Sequence, residues 1–242
     1  AMRDFNIPFL GIYSACATFG EGINLAANLI EGKRANKIIV STSSHNMVAE
    51  KQFRNPTEYG APKKKTTTFT STGAASILLT NKKSSIKVTS ATIGSVQDKN
   101  IQDVNNMGAI MAIAAADTIK NHLKNLNLKP DYYDLILTGD LGIYGKQILI
   151  EYLKGEGIDI SKNYEDCGLI LYDREKQPVF AGASGPVCSA LVTCGYILKE
   201  MLRGKYHKVL VVPTGAIFSP TRTFQKDSVP SIAHAFSIEV TE

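Results

Sequence analysis

Two kinds of hydrophobic pattern alternate along the chain. Apolar residues recur with the spacing of an amphipathic helix in four segments, at residues 16–32, 105–126, 143–157 and 188–204. Short apolar runs predict strands at residues 7–13, 37–43, 66–80, 86–94, 132–140, 167–173, 178–184, 207–215 and 233–240. Because strands alternate with helices, the pattern predicts an α/β fold layered around a largely parallel sheet.

Two segments allow a more specific structural prediction than strand or helix alone. The stretch KIIVSTS at residues 37–43 begins with a continuous apolar run, which is typical of a strand covered on both faces. Residues 50–66 hold two prolines, one glycine and five lysine or arginine residues, and this composition predicts a loop.

The second part of the chain repeats the first. Cys16 precedes Gly32 by 16 residues, and Cys188 precedes Gly204 by the same number. KIIVSTS then falls on KVLVVPT after a one-residue gap, and GAASILLT falls on AHAFSIEV. Unless the match is due to chance, it predicts two duplicated halves, at residues 1–87 and 88–242.

The two predicted halves are unequal in length. Residues 88–179 lie ahead of the cysteine turn in the second copy, whereas the first copy has almost nothing at that place. We therefore expect the N-terminal half to be incomplete in this chain. Its missing elements would leave a sheet edge and one apolar layer uncovered.

Composition narrows the possible partners. The net charge is +5, the lysines are mostly scattered, and no basic stripe with interleaved aromatic residues argues for nucleic acid. A weak attraction to an anionic membrane surface remains open. No apolar stretch approaches the ~20 residues that span a bilayer. The start AMRDFNIPFL does not read as a signal peptide, so we expect no export.

The four cysteines fit neither a zinc motif nor a disulfide framework, so we expect a reducing compartment and no bound metal. Cys16 lies in a predicted turn between a strand and a helix. Such a turn brings backbone N–H groups and about half a positive charge together. It could therefore lower the pKa of a nucleophilic thiol or hold a carboxylate. A cysteine at this place could equally be an inert core residue.

Other residues could assist Cys16 or play structural roles. His45 follows a predicted strand and is a candidate general base, although a lone histidine is more often structural. Asp140 ends the stretch DLILTGD, where capping of the next helix is favoured over a place in a crevice. The turn GASGP, residues 182–186, could approach a ligand or simply reverse the chain. His122 is expected on a polar helix face, and His234 in the core or at a cap.

Several longer stretches are similar to a known family. YSACATFGEGINLAANLI, placed after a predicted strand, resembles the thiolase-like superfamily of thiolases and ketoacyl synthases. IPFLGIYSACATFGEG, SSHNMVAEKQFRNPTEYG, GASGPVCSA and PTGAIFSPTRTFQKDSVPSIAHAFSIE resemble the stage V sporulation protein AD family of endospore-forming bacteria. The resemblance runs over essentially the whole chain. It implies a thiolase-like fold and a further N-terminal segment in the family.

The resemblance also implies a function. Members of this family bind pyridine-2,6-dicarboxylate (dipicolinate) and help to move it, with calcium, into the developing spore and out at germination. They lie peripherally at the spore inner membrane with integral membrane subunits as partners, and they use no cofactor. A homodimer formed through a sheet edge is a further expectation from the superfamily. We find no calcium-loop pattern in the chain, so the ligand is expected alone or as its calcium chelate.

The resemblance assigns site residues as well. Condensing relatives carry a histidine in the turn after the strand that ends TGD here, where this chain has Gly139-Asp140-Leu141, and a second histidine or asparagine in the turn that is GASGP here. Without them Cys16 would lack a base, so the family is expected to bind and not to catalyse. One wall of the ligand site is expected from Cys16, Ala17, Thr18 and Phe19. The facing wall is expected from Asp140, Leu141, Ser184 and Gly185, with His45 nearby.

Two alternatives remain open. Cys16 could still accept an acyl group, with His45 as its base, in an acyl-transferring enzyme. The pocket could instead be vestigial, and the protein could be a scaffold that docks membrane subunits.

Overall fold

The computed structural model describes residues 4–53 and 63–241. The helices within these residues are α1 (Thr18–Glu31), α2 (Asn46–Phe53), α3 (Met107–Asn125), α4 (Gly142–Gly155), α5 (Cys167–Ile170), α6 (Cys188–Val192), α7 (Leu198–Leu202) and α8 (Pro220–Phe224). A π-helical turn, Thr193–Ile197, joins α6 to α7, and a 3-10 turn covers Pro130–Tyr132.

The strands fall into one large sheet and three two-stranded pairs. They are β1 (Lys37–Ser44), β2 (Phe69–Thr70), β3 (Gly73–Thr80), β4 (Ile86–Thr92), β5 (Leu135–Thr138), β6 (Tyr164–Asp166), β7 (Ala183–Ser184), β8 (Lys208–Val212), β9 (Thr214–Ala216), β10 (Ser231–Ala233) and β11 (Ala235–Val240).

The large sheet is mixed, with the order β4-β11-β8-β5-β6. Strand β5 runs parallel to β6 and β8, whereas β11 runs antiparallel to β8 and β4. The expectation of a largely parallel sheet is therefore wrong for half of it. The chain continues from β8 into β9 and comes back along β10, which pairs antiparallel with β9. It therefore enters β11 in the direction opposite to β8, whereas a parallel neighbour would need a crossover connection.

The N-terminal sheet within the described residues is the antiparallel pair β1–β3, with Lys37 opposite Thr80 and Ser44 opposite Gly73. Burial alternates along β1, because only one of its faces packs on α1. Val40 is 8% exposed, whereas its neighbour Ile39 is 64% exposed. Coverage on both faces, predicted from the apolar run, is thus not seen among the described residues.

Helix α1 lies between the β1–β3 pair and the large sheet. Its Gly22 approaches β1 so closely that a Cβ there would lie 2.6 Å from Val40 Cγ1. Its Phe19 meets Phe236 of β11 edge to face, with ring centroids 5.8 Å apart. Asn24 donates from Nδ2 to the carbonyl of Ala235 at 3.1 Å. The side chains of α1 and α6–α7 therefore form one core between the two sheets.

Helices α3 and α4 cover the opposite face of the large sheet and form a second core. They cross at a pair of glycines, since a Cβ on Gly145 would lie 2.6 Å from the carbonyl oxygen of Gly108. No helix among the described residues combines the length and apolarity that a membrane span requires.

The predicted repeat has a structural counterpart. In both copies a helix that begins near a cysteine is followed by two strands paired antiparallel: α1 with β1 and β3, and α6–α7 with β8 and β11. The boundary between residues 87 and 88 stays a prediction. The α/β class and the positions of the four long helices are confirmed to within a few residues.

Three predicted strands and one loop differ from the structure. Residues 7–13 have no strand partner among the described residues, and Phe9 and Leu10 are each 67% exposed. Of residues 178–184 only β7 is extended, and residues 167–170 form α5, because apolar runs this short fit a buried helical turn as well as a strand. The loop predicted at 50–66 begins with α2, and residues 54–62 lie outside the described part.

Candidate functional site

Cys16 lies in a tight turn directly before α1. Ala15 has a φ of +51°, and the backbone N–H of Ala17 donates to the carbonyl of Ser14 at 3.0 Å. The hydroxyl of Thr18 closes the turn by donating to Ala15 O at 2.6 Å and accepting the Ser14 N–H at 3.0 Å. Cys16 itself is partly buried. The turn and the helix start thus follow the sequence prediction, while residues 7–13 pair with no strand in the described part of the chain.

Asp140 follows β5 and is buried, with 1% exposure. Its Oδ2 accepts the backbone N–H of Gly185 at 3.0 Å, and its Oδ1 accepts the hydroxyl of Thr214 at 2.9 Å. The favoured reading of Asp140 as a cap for α4 is therefore wrong. Both carboxylate oxygens instead connect the end of β5 to the turn after β7 and to β9.

Asp166, which the sequence reading did not single out, caps α4 in its place. Its Oδ2 accepts the N–H of Leu141 and its Oδ1 the N–H of Gly142, both at 2.9 Å. The hydroxyl of Thr138 donates to the same carboxylate at 2.7 Å. A carboxylate at a helix N-terminus satisfies N–H groups that have no partner within the helix. Asp166 is the last residue of the short strand β6, and nothing local in the sequence pointed to α4.

Burial raises the pKa of Asp166 to about 7, although its three hydrogen bonds act in the opposite direction, and the carboxylate of Asp140 adds to the rise. Burial also raises the pKa values of the Cys167 and Cys188 thiols far above their usual range, and the nearby carboxylates add to both shifts. These two thiols are therefore protonated at neutral pH. Neither has the lowered pKa of an activated nucleophile.

Thr214 and Gly215 bring Asp140 and the Cys16 turn together. Thr214 binds Asp140, and the next residue is so close to the turn that a Cβ on Gly215 would lie 2.5 Å from Ser14 O and 3.2 Å from Cys16 N. The two walls expected from sequence thus meet across β9.

The turn containing Ser184 and Gly185 joins the same region. The carbonyl of Ser184 accepts both the N–H and the hydroxyl of Ser71, at 2.8 and 2.9 Å. Gly185 has a φ of +106°, and a Cβ there would lie 2.9 Å from Thr70 Cγ2 and 3.2 Å from Ser44 Oγ. The turn therefore approaches the end of β1, where His45 follows Ser44.

The other predicted wall residues have less access to a ligand. Ala17 is 0% exposed, Phe19 is 1% exposed in the core between the sheets, and Leu141 is 1% exposed in the core formed with α3 and α4. His45 is exposed and begins the turn into α2, where its carbonyl accepts the N–H of Ala49. The roles of these residues in ligand binding stay predictions.

His234, not His45, packs on the first turn of α1. A Cβ on Gly20 would lie 3.2 Å from both the Cβ and the carbonyl oxygen of His234. The ring Nδ1 accepts the backbone N–H of Gly94 at 3.2 Å, so the neutral ring carries its proton on Nε2. Burial lowers the pKa of His234, while Glu21 opposes the change. This fits the core or cap role expected for it.

His122 differs from its predicted place on a polar helix face. It is fully buried, with Nε2 2.7 Å from the hydroxyl of Tyr133 and Nδ1 2.7 Å from that of Thr92. Burial lowers the pKa of His122 to about 4. The helical pattern failed here because the polar partners lie outside α3, on β4 and in the segment between α3 and β5.

No group of three or more histidine, cysteine or acidic side chains in the described ranges is arranged to hold a metal ion. A cavity of about 500 Å³ opens between Asp98, Ser219 and Arg222, and none of the predicted site residues lines it. The candidate site is therefore the region where Cys16, Asp140, Ser184 and Gly185 converge.

The fold resembles those of condensing enzymes. The 3-oxoacyl-[acyl-carrier-protein] synthase III from Aquifex aeolicus VF5 matches with a TM-score of 0.59 and 11% identity, over 98% of this chain and 69% of that chain. The 3-oxoacyl-(acyl carrier protein) synthase III from Pseudomonas aeruginosa PAO1 matches with a TM-score of 0.58 and 7% identity, over 96% and 67%. At these identities the likeness shows a shared thiolase-like fold alone.

The sequence comparisons are more specific. The family model for Stage V sporulation protein AD matches residues 1–239. Stage V sporulation protein AD of Bacillus subtilis (strain 168) is 47% identical over 237 residues, which are 98% of this chain and 70% of that protein. With its thiolase-like fold, the chain belongs to the stage V sporulation protein AD family.

Proposed function

We propose that this chain is a non-catalytic binding protein for dipicolinate, which it helps to carry into the developing spore and to release at germination. The observation that carries this proposal is the state of Asp140. Both of its oxygens are committed, to the Gly185 N–H and the Thr214 hydroxyl, directly beside the Cys16 turn. A buried carboxylate fixed in this way is a structural link and has no free geometry for moving protons.

The electrostatics of the site favour the calcium chelate as the bound form. Asp140 is buried beside the Cys16 turn, and a free dicarboxylate would carry two more negative charges into this region. Calcium cancels the charge of the dicarboxylate, so the chelate enters as a neutral, flat molecule. The start of α1 then orients its carboxylate oxygens by its dipole.

The proposal includes a place and partners. The protein lies peripherally at the spore inner membrane and docks on integral membrane subunits that conduct the ligand. A second copy of the chain is a further partner. Membership of a sporulation protein family supports a role in the spore.

Titration calorimetry with dipicolinate, with and without equimolar calcium, tests the proposal. We expect heat of binding that is larger with calcium. Benzene-1,3-dicarboxylate keeps the spacing of the two carboxylates but lacks the ring nitrogen that chelates calcium, so it should give little or no heat. Cys16→Trp, which fills the turn, should abolish binding, while Cys16→Ala should retain it. Absence of heat at millimolar ligand would overturn the proposal.

Acyl transfer by Cys16 is the competing function, since Cys16 is partly exposed in a turn at the start of a helix. Mass spectrometry after incubation with acyl-coenzyme A distinguishes the two. An adduct on the peptide containing Cys16 would favour the enzyme, and an unmodified peptide would favour the binding protein.

A further inference from the structure

Two loops lie side by side at the end of the molecule opposite the Cys16 turn. Helix α1 runs away from that turn to Glu31, β1 returns towards it, and β3 runs away again. The loop before β1 and the loop after β3 are therefore neighbours. Asn81 fixes them together by donating from its backbone N to Asn36 O at 3.2 Å and from Nδ2 to Asn36 Oδ1 at 2.8 Å.

These loops concentrate positive charge. Residues 32–37 read GKRANK and residues 81–83 read NKK, with no carboxylate in either stretch, and the nearest acid along the chain is Glu31. We call their five exposed cations the basic end, and they are Lys33, Arg34, Lys37, Lys82 and Lys83. Within residues 4–53 and 63–241, none of the five forms an ion pair.

Neighbouring cations at the same end of the fold are different. Arg203 and Lys205, in the loop between α7 and β8, both contact Glu200, at 2.8 and 3.3 Å. One of their two positive charges is therefore compensated within the protein. The basic end lacks this compensation, so its field extends into solvent and falls off over the Debye length, about 10 Å at 0.1 M salt.

We propose that the basic end is a docking surface for anionic lipid headgroups. Four of its five cations are lysines, which act as mobile point charges and suit a diffuse anionic surface better than a discrete, bidentate site. Neither stretch contains an aromatic side chain that could stack on a base, which argues against single-stranded nucleic acid. Clustered lysines at a bilayer surface each contribute attraction that salt weakens.

This inference deepens the peripheral membrane location proposed above and rests on it for its biological setting. It also gives an orientation. With the basic end on the bilayer, the Cys16 turn and Asp140 lie at the far end of α1 and β5 and face away from the lipid.

Sedimentation with vesicles tests the surface without any dipicolinate, so its failure leaves the calorimetric test of ligand binding untouched. The whole chain is mixed with phosphatidylcholine vesicles, with and without phosphatidylglycerol. We expect binding only to the anionic vesicles, and loss of that binding at high salt. Lys82→Glu/Lys83→Glu should weaken the partition coefficient more than about 20-fold, since each cation near an anionic surface is worth roughly five-fold.

Lys65→Glu/Lys99→Glu is the matched control, because it changes the net charge equally at exposed positions towards the opposite end. It should weaken binding by about two-fold or less. Equal losses in the two double variants would overturn the proposal, as would binding to pure phosphatidylcholine or no binding at low salt. Tighter binding to a single-stranded oligonucleotide than to the vesicles, with the same dependence on Lys82 and Lys83, would assign the surface to nucleic acid.

Discussion

The hydroxyl of Thr214 donates to Asp140 Oδ1 across 2.9 Å, and through this bond the end of β5 is tied to β9, which packs on the Cys16 turn. The same carboxylate holds Gly185 on its other oxygen. The shape of the candidate site therefore depends on one buried side chain that donates nothing and accepts from both sides.

Replacing Asp140 should destabilise the fold. Asp140→Ala leaves the Gly185 N–H and the Thr214 hydroxyl buried without their acceptor, and each such group costs roughly 1–3 kcal/mol. Urea unfolding measures the loss. In a double-mutant cycle, Thr214→Val should cost less in the Asp140→Ala background than alone. The exposed Asp131→Ala is the control and should stay within about 0.5 kcal/mol of the parent. Additive effects of Asp140→Ala and Thr214→Val would contradict the coupling.

Asp166 should make the protein less stable as pH rises from about 4 to 7. Its folded-state pKa of about 7 lies above the ordinary value of 3.8, so the folded state binds more protons than the unfolded state in this window. The loss should reach up to about 4 kcal/mol at pH 7 and above. Asp166→Asn removes this dependence.

Urea unfolding of both proteins between pH 4 and 8 provides the measurement. The free energy of unfolding of Asp166→Asn minus that of the parent should rise with pH across this range. A difference that stays flat would show that Asp166 keeps an ordinary pKa in the fold.

His122 should have the opposite effect. Burial lowers its pKa from 6.5 to about 4, so the unfolded state binds more protons between these values and stability rises with pH. The gain should amount to up to about 3 kcal/mol, and it should mask part of the Asp166 effect in the parent protein. His122→Gln removes the titrating group, so below pH 6.5 the variant should retain the Asp166 slope alone.

Gly185 and Gly155 should respond differently to alanine. At Gly185, φ is +106° and the new Cβ would lie 2.9 Å from Thr70 Cγ2, so we expect a loss of about 1–3 kcal/mol. At Gly155, the last residue of α4, a Cβ meets nothing within 4 Å. There alanine should be neutral or stabilise by up to about 1 kcal/mol. Thermal unfolding of the two single variants compares them, and equal shifts would refute the close approach at Gly185.

Local pattern predicted the helices well. The apolar face of α1 and the glycine at its end lie within one segment, and so do the periodic residues of α3 and the glycine near the end of α4. The repeat of cysteine turn, helix, glycine and strand at Cys16 and at Cys188 was equally visible, because it can be found from the order of these elements along the chain. The convergence of Asp140, Ser184 and Gly185 followed from the family resemblance.

The parts that sequence reasoning missed depend on partners distant along the chain. Asp166 caps a helix that begins 24 residues earlier, and this pairing exists only because β5 and β6 are adjacent. His122 is buried by Thr92 and Tyr133, which no periodicity of α3 could reveal. Apolar runs of a few residues, such as the one that forms α5, are compatible with both a strand and a helical turn. Only the elements packed around them in the fold decide between the two.

The place of β11 has a consequence for folding kinetics. Strand β11 lies between β4 and β8 in the sheet. Strand β4, which starts at Ile86, can therefore pair only after β11 has been synthesised, about 150 residues later. During synthesis on the ribosome, the helices α3 and α4 and the strands β5, β6 and β8 can collapse first, while β4 stays unpaired in this sheet and β8 is an open edge. Closure of the central ladder is thus a late, nonlocal step, and the nascent chain is most prone to aggregate before it occurs.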